Sequence, residues 1–145
     1  MALKLARAHV DEMIQHAWDD YPNECCGVLA GRGDSVERVY RVKNAHNSPY
    51  TFYLEDGDHL RVEKEIDALG MEVVGFYHSH TWSPPNPSPT DVANAFQRDS
   101  QTGAVRAPYP NSGYIIISLQ NRKAPDVRAF RIGDSAIMRE DLVVT

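Results

Sequence analysis

The chain has 145 residues, 42% apolar and 24% charged, the balance of one globular domain spanning 1–145 rather than a disordered or fibrous segment. Its net charge of −5, with no block of like charge, gives nucleic-acid binding no electrostatic support. No apolar run reaches membrane-spanning length and no signal-peptide pattern opens the chain, so no membrane contact and a cytoplasmic location are expected.

Val10, Met13, Ile14, Ala17, Trp18 and Tyr21 recur at helical spacing and predict an amphipathic helix that stops before Pro22. His9 and His16 read as solvated residues of that helix. A buried strand is expected over Glu24–Ala30, then a turn at Gly31–Asp34 and a second strand over Val36–Val42. Asn44–Pro49 reads as a polar loop with His46 as a bystander, and Thr51–Leu54 as a third short strand. Asp56-Gly57-Asp58 supplies the cap of a second helix, with Val62, Ile66 and Leu69 on its inner face and Gly70 closing it. Val73–Tyr77 is a strand. A third helix is expected from about Pro89 to Arg98, with Val92, Ala95 and Phe96 inward, followed by a loop over Asp99–Ser112. Tyr114–Leu119 and Val127–Ile132 are strands, and the tail after Gly133 can add another. This order predicts an α/β fold, a mixed sheet with helices against it.

Cys25 and Cys26 are adjacent, so in a strand they point to opposite faces and a disulfide between them would be strained. They read as reduced core residues.

The chemistry concentrates in His78–Asp91, HSHTWSPPNPSPTD. His78 and His80 lie one residue apart after an apolar run, so in an extended chain both face the same side. Ser88, Pro89 and Asp91 fit a helix N-terminus, with Ser as cap, Pro at the first position and an acid three residues on. Two imidazoles and a carboxylate also form a zinc ligand set with one position open, and a carboxylate at that helical position can do either job. No G-x-S-x-G elbow supports a serine nucleophile, and the H-x-E and P-C-x-x-C pair of zinc deaminases is missing.

His78-x-His80, seven residues, Ser88, two residues, Asp91, with Glu24 upstream heading Cys25-Cys26-Gly27-Val28-Leu29-Ala30-Gly31, resembles the JAMM (MPN+) metalloproteases over nearly the whole chain. It is similar to their minimal prokaryotic members, and within these to the Mec-type peptidases of sulfur-carrier proteins. The stretches shared with that type are Glu24-x-Cys26 through Gly31, Ser48-Pro49 with Thr51-Phe52-Tyr53, and Tyr77-His78-Ser79-His80-Thr81. The resemblance implies a curved mixed sheet flanked by helices, in a JAMM/MPN, cytidine-deaminase-like arrangement. It implies Zn2+ held by His78, His80 and Asp91, Glu24 as general base and acid, and Ser88 stabilising the oxyanion. The implied reaction is hydrolysis of a peptide or isopeptide bond at the Gly-Gly tail of a ubiquitin-like or sulfur-carrier protein. That tail is expected along an exposed strand edge, with the Trp82 loop and Asp99–Ser112 as walls or lid. A catalytically silent MPN interaction module with a structural metal is the alternative, and it would be expected to lack one or more of these ligands. The oligomeric state stays open between monomer and homodimer.

Overall fold

In a computed structural model, residues 2–98, 101–102, 105–134 and 136–145 are described. The amphipathic stripe near the N-terminus becomes helix α1, Arg7–Asp20, which buries Val10, Met13, His16 and Ala17. Ahead of it lies a strand the sequence reading missed, β1, Ala2–Leu5, with Leu3 and Leu5 buried. The strand expected from Glu24 begins two residues later as β2, Cys26–Arg32, and turns through Gly33 into β3, Ser35–Val42. Gly33 has φ +60, a backbone conformation that glycine adopts without steric cost.

Thr51–Leu54 is not a strand; only Leu54 makes an isolated bridge, to Asn44. The Asn44 side chain takes the backbone groups a ladder would use, donating to Thr51 O and accepting from Tyr53 N. Helix α2, Asp56–Ala68, is capped by Glu55, whose carboxylate accepts from Gly57 N and Asp58 N. Asp58, expected as part of the cap, instead accepts Lys43 N and pairs with Arg61. Val62 and Ile66 face inward as expected, whereas Leu69 is exposed at the helix end and Gly70 follows with φ +69.

Strand β4, Glu72–His80, extends past Tyr77 to include both histidines. Helix α3 is shorter than expected, Pro89–Ala95, because Phe96 is already extended and leads into β5, Gln97–Arg98. Ala95 and Phe96 pack inward, but Val92 is exposed. Within the expected loop, β6, Val105–Arg106, pairs antiparallel with β5. Strands β7, Gly113–Ser118, β8, Asp126–Ile132, and β9, Ile137–Val144, complete the fold.

The main sheet runs β1-β3-β2-β4-β7-β8-β9 and closes on itself, because β1 also pairs in parallel with β9. The sheet is mixed: β4–β7 is parallel, while β2–β4 and β7–β8 are antiparallel. Helix α1 packs with Leu3, Leu29, Val74, Ile115 and Ile117 on one face. Val62 and Ile66 of α2 cover Val28, Ala30 and Phe76 on the other, and Ala95 at the end of α3 packs on the cluster around Tyr114 and Ile116. Among the described residues, no helix is long and apolar enough to cross a membrane.

Candidate metal centre

Phe76, His78 and His80 alternate along β4, so all three project to the face covered by α2 and α3. The intervening Tyr77 and Ser79 face α1: Tyr77 Oη meets His16 Nδ1 at 2.7 Å, and Ser79 Oγ accepts Cys25 N at 2.8 Å. Both faces of β4 are therefore committed. His16, read as solvated, is in fact buried by this contact and also lies 3.2 Å from Asp20. Burial lowers its pKa, against the opposing pull of Asp20.

The proline-rich connection brings α3 back over the strand end, and the capping arrangement forms as read. Ser88 Oγ accepts Asp91 N at 3.0 Å, and Ser88 N donates to Asp91 Oδ2 at 2.9 Å. The same Oδ2 lies 3.1 Å from His78 Nε2 and 3.0 Å from His80 Nε2, while the two Nε2 atoms are 3.1 Å apart. The helix cap thus holds the third corner of a near-equilateral triangle of donor atoms. All three side chains are buried.

The triangle suits a small divalent ion. Tetrahedral ligands at about 2.0–2.1 Å from zinc stand roughly 3.3 Å apart, close to the observed edges. The tautomer of His80 is also fixed correctly: its Nδ1 lies 2.8 Å from Pro84 O, which can only accept, so a neutral His80 presents a lone pair on Nε2. Phe52 stacks on the His78 ring at 4.3 Å between centroids and Tyr114 stands 5.2 Å away, walling the imidazole on two sides. Burial lowers the His78 pKa. Burial would also lower that of His80, but its bonds to Asp91 and Pro84 raise it, and burial of Asp91 is outweighed by both imidazoles, which hold its carboxyl well below the usual range.

Glu24 sits just before β2, held by Glu24 N donating to Ser48 O at 2.9 Å and by Asn44 Nδ2 donating to Glu24 O at 3.0 Å. Its carboxyl is buried, Oε1 has no partner among the described residues, and both His80 and Asp91 act on it electrostatically. Burial pushes its pKa up to about 8, against the favourable field of His80. Cys25 and Cys26 are free and buried, and burial pushes the Cys26 thiol up to about 12.

Sequence reasoning missed Asn44. Its amide spans four backbone groups, Glu24 O, Thr51 O, His46 N and Tyr53 N, and so ties the Glu24 segment to the loop that carries Phe52. His46 is likewise more than a bystander, bonding Thr51 Oγ1 and stacking on Tyr53. A cleft of about 270 Å³ opens beside Asp91, lined by Phe52, Phe76, Tyr109 and Tyr114 among others. Pro108 and Tyr109, from the 99–112 segment, form part of its wall; residues 99–100 and 103–104 of that segment lie outside the described residues. Trp82 does not line this cleft.

Residues 6–133 match the family described as prokaryotic homologs of the JAB domain. The chain is 34% identical over 137 residues to the CysO-cysteine peptidase of Mycobacterium tuberculosis, covering 93% of this chain and 86% of the relative. It is 35% identical over 127 residues to the desampylase of Haloferax volcanii, covering 83% of each. Among solved structures, protein DSY2949 from Desulfitobacterium hafniense is similar over 100% of this chain and 93% of its own, with a TM-score of 0.82 and 32% identity. AF2198, a JAB1/MPN domain protein from Archaeoglobus fulgidus, shares the fold at a TM-score of 0.53 and 17% identity, over 97% of this chain and 96% of its own.

Proposed function

The chain belongs to the prokaryotic homologs of the JAB domain, and from that premise we propose that it is a metal-dependent peptidase. Its substrate is the peptide or isopeptide bond after the C-terminal Gly-Gly of a small ubiquitin-like or sulfur-carrier protein. The observation that carries this reading is the convergence of His78 Nε2, His80 Nε2 and Asp91 Oδ2 within 3.1 Å, beside the buried carboxyl of Glu24.

A divalent ion on these three residues, zinc by ligand type, supplies a Lewis acid that brings the pKa of water near neutrality. Glu24 accepts the proton of the attacking water and delivers it to the leaving nitrogen, so that a C–O bond forms and the C–N bond breaks. A buried carboxyl beside the three ligands, with Oε1 unengaged among the described residues, suits a group that both takes and returns a proton. Ser88 Oγ already accepts Asp91 N, which leaves its own hydrogen free to donate to the carbonyl oxygen as charge develops there. Removing one such donor typically costs about 10²–10³ in rate.

The closed main sheet changes how a tail can bind. The sheet closes through β1, but β1 meets β3 only at Lys4 and Ser35, so the outer edge of β3 beyond Ser35 and the β5–β6 ribbon are the edges open to strand addition among the described residues. The aromatic cleft beside Asp91 lies next to that ribbon and is the course we assign to the tail. Two glycines suit its inner end, where Phe52 and Tyr114 crowd His78.

The test uses the zinc-loaded protein and a ubiquitin-like protein whose Gly-Gly is followed by cysteine or by a lysine-linked protein. Cleavage after the second glycine, abolished in a Glu24→Gln variant that keeps its metal, is the expected result. A fully loaded protein that cuts neither substrate would refute the reading.

A further inference from the structure

Tyr50 and Trp82 are exposed large hydrophobic side chains, at 73% and 49%, and their rings meet at 5.4 Å with a tilt of 59°. Two exposed aromatics in contact on the rim of a reactive centre form a patch of the kind that marks a binding surface. Their backbones are pinned. Tyr50 N and Thr51 N both donate to Ser48 Oγ, and the Trp82 loop is held by Thr81 Oγ1 donating to Pro22 O and Ser118 Oγ donating to Ser83 O. Trp82 Nε1 lies 3.4 Å from Tyr21 Oη, and Arg122 sits over the Tyr21 ring at 5.1 Å. Rings carried on a pinned backbone, with Trp82 also set against Tyr21, lose less freedom when a partner binds.

Position identifies what the ridge meets. The Glu24 segment is threaded between the two loops that carry these rings: Pro22 O is bonded to Thr81, Ser79 N donates to Cys25 O, and Glu24 N donates to Ser48 O. Tyr50 and Trp82 therefore stand on the two loops that hold the Glu24 backbone, and the departing nitrogen, which takes its proton from Glu24, is placed on their side. Trp82 is two residues past His80, so its Cα is within about 7 Å of the His80 Cα even in a fully extended chain. The cleft assigned to the Gly-Gly tail borders Asp91 instead and includes neither Tyr50 nor Trp82.

We propose that the Tyr50–Trp82 ridge receives the leaving side of the scissile bond, and that its occupant is a polypeptide joined through a lysine, whose aliphatic stem lies on the rings. This inference rests on the peptidase reading above. A single released amino acid is too short to cover both rings, whereas a lysine stem and its flanking chain reach them. The two indole and phenol faces offer apolar area with polar edges, the chemistry enriched at the energetic centres of protein interfaces.

The experiment compares two substrates with the same ubiquitin-like body and Gly-Gly tail, one ending in cysteine and one joined by an isopeptide bond to a lysine of a second protein. Zinc-loaded wild type, Trp82→Ser, Trp82→Phe and Tyr50→Ser are assayed on both. The expected result is a fall of about tenfold or more in the ratio of kcat/KM, isopeptide over cysteine adduct, for the two serine variants, the scale of an interface hot spot. The loss should appear chiefly in KM, and Trp82→Phe should retain most of the ratio. Turnover of the cysteine adduct reports that each variant is folded and loaded. An unchanged ratio would overturn the proposal, whether both rates fall together, which places the carrier body on the ridge, or neither falls. Failure of wild type on both substrates would instead refute the peptidase reading itself.

Discussion

Replacing Glu24 with Gln should abolish turnover and at the same time make the metal-free protein more stable, by an amount that grows with pH. The folded-state pKa of this carboxyl is raised from 4.5 to about 8 because it is buried without a partner for Oε1. A raised carboxyl pKa means that folding is not opposed below about pH 4.5, where both states are protonated. Stability is then lost as pH climbs through the folded value, since the unfolded chain ionises freely and the folded one does not. With these two values the loss is under about 1 kcal/mol at pH 5, about 3 kcal/mol at pH 7 and more than about 4 kcal/mol at pH 8.5. Gln carries no such cost. Urea unfolding of chelator-treated wild type and variant at these three pH values measures the difference. At about 2 kcal/mol per molar for the urea dependence, the midpoint of the variant should lie about 1.5 M higher at pH 7. A pH-independent difference, or a less stable variant at pH 8.5, would refute the claim that Glu24 is held buried at a cost in stability. A site that stores such a cost is the pattern expected where stability is sacrificed to chemistry.

Asn44→Ala removes an amide that serves four backbone groups and should destabilise the protein by about 2–4 kcal/mol in denaturant titration, with a fall in turnover because the Glu24 and Phe52 segments lose their tie. Gly27→Ala would drive a methyl into the Tyr77 ring and the Tyr40 carbonyl across the ladder, at a cost of about 1–3 kcal/mol or more, read as a lowered Tm. Burial lowers the His16 pKa in an environment shared with Tyr77, Asp20, Arg41, Glu12 and Asp19. Its contribution is therefore intact above pH 6.5 and lost as pH falls toward the depressed folded value. His16→Gln should flatten this acid limb, and an unchanged limb would contradict the assignment.

The convergence of His78, His80 and Asp91 was legible because its signals are local. His78 and His80 share a face by the alternation of any strand, and Ser88-Pro89-x-Asp91 is a capping pattern whose geometry also delivers Asp91 to the histidines. What escaped reading depends on contacts between distant residues. Four residues, Ala2–Leu5, carry too little pattern to announce a strand, yet they close the sheet by pairing with Ile137–Val144 at the other end of the chain. Thr51–Leu54 has strand-like composition, but the Asn44 side chain takes its backbone partners. His16 looks solvated on its helix until Tyr77, from a strand beyond the second helix, is placed against it. The cap of α2 falls on Glu55, just ahead of the expected Asp56-Gly57-Asp58, and Asp58 is engaged instead by Lys43 N, a partner distant in sequence.

The central claim is that His78, His80 and Asp91 hold a divalent metal. Elemental analysis of the purified protein, with His78→Ala as control, tests it most directly. About one zinc per chain is expected in wild type and almost none in the control, as three ligands reduced to two would require. A wild-type protein that holds no divalent metal even after reconstitution, or a control that holds as much, would contradict it.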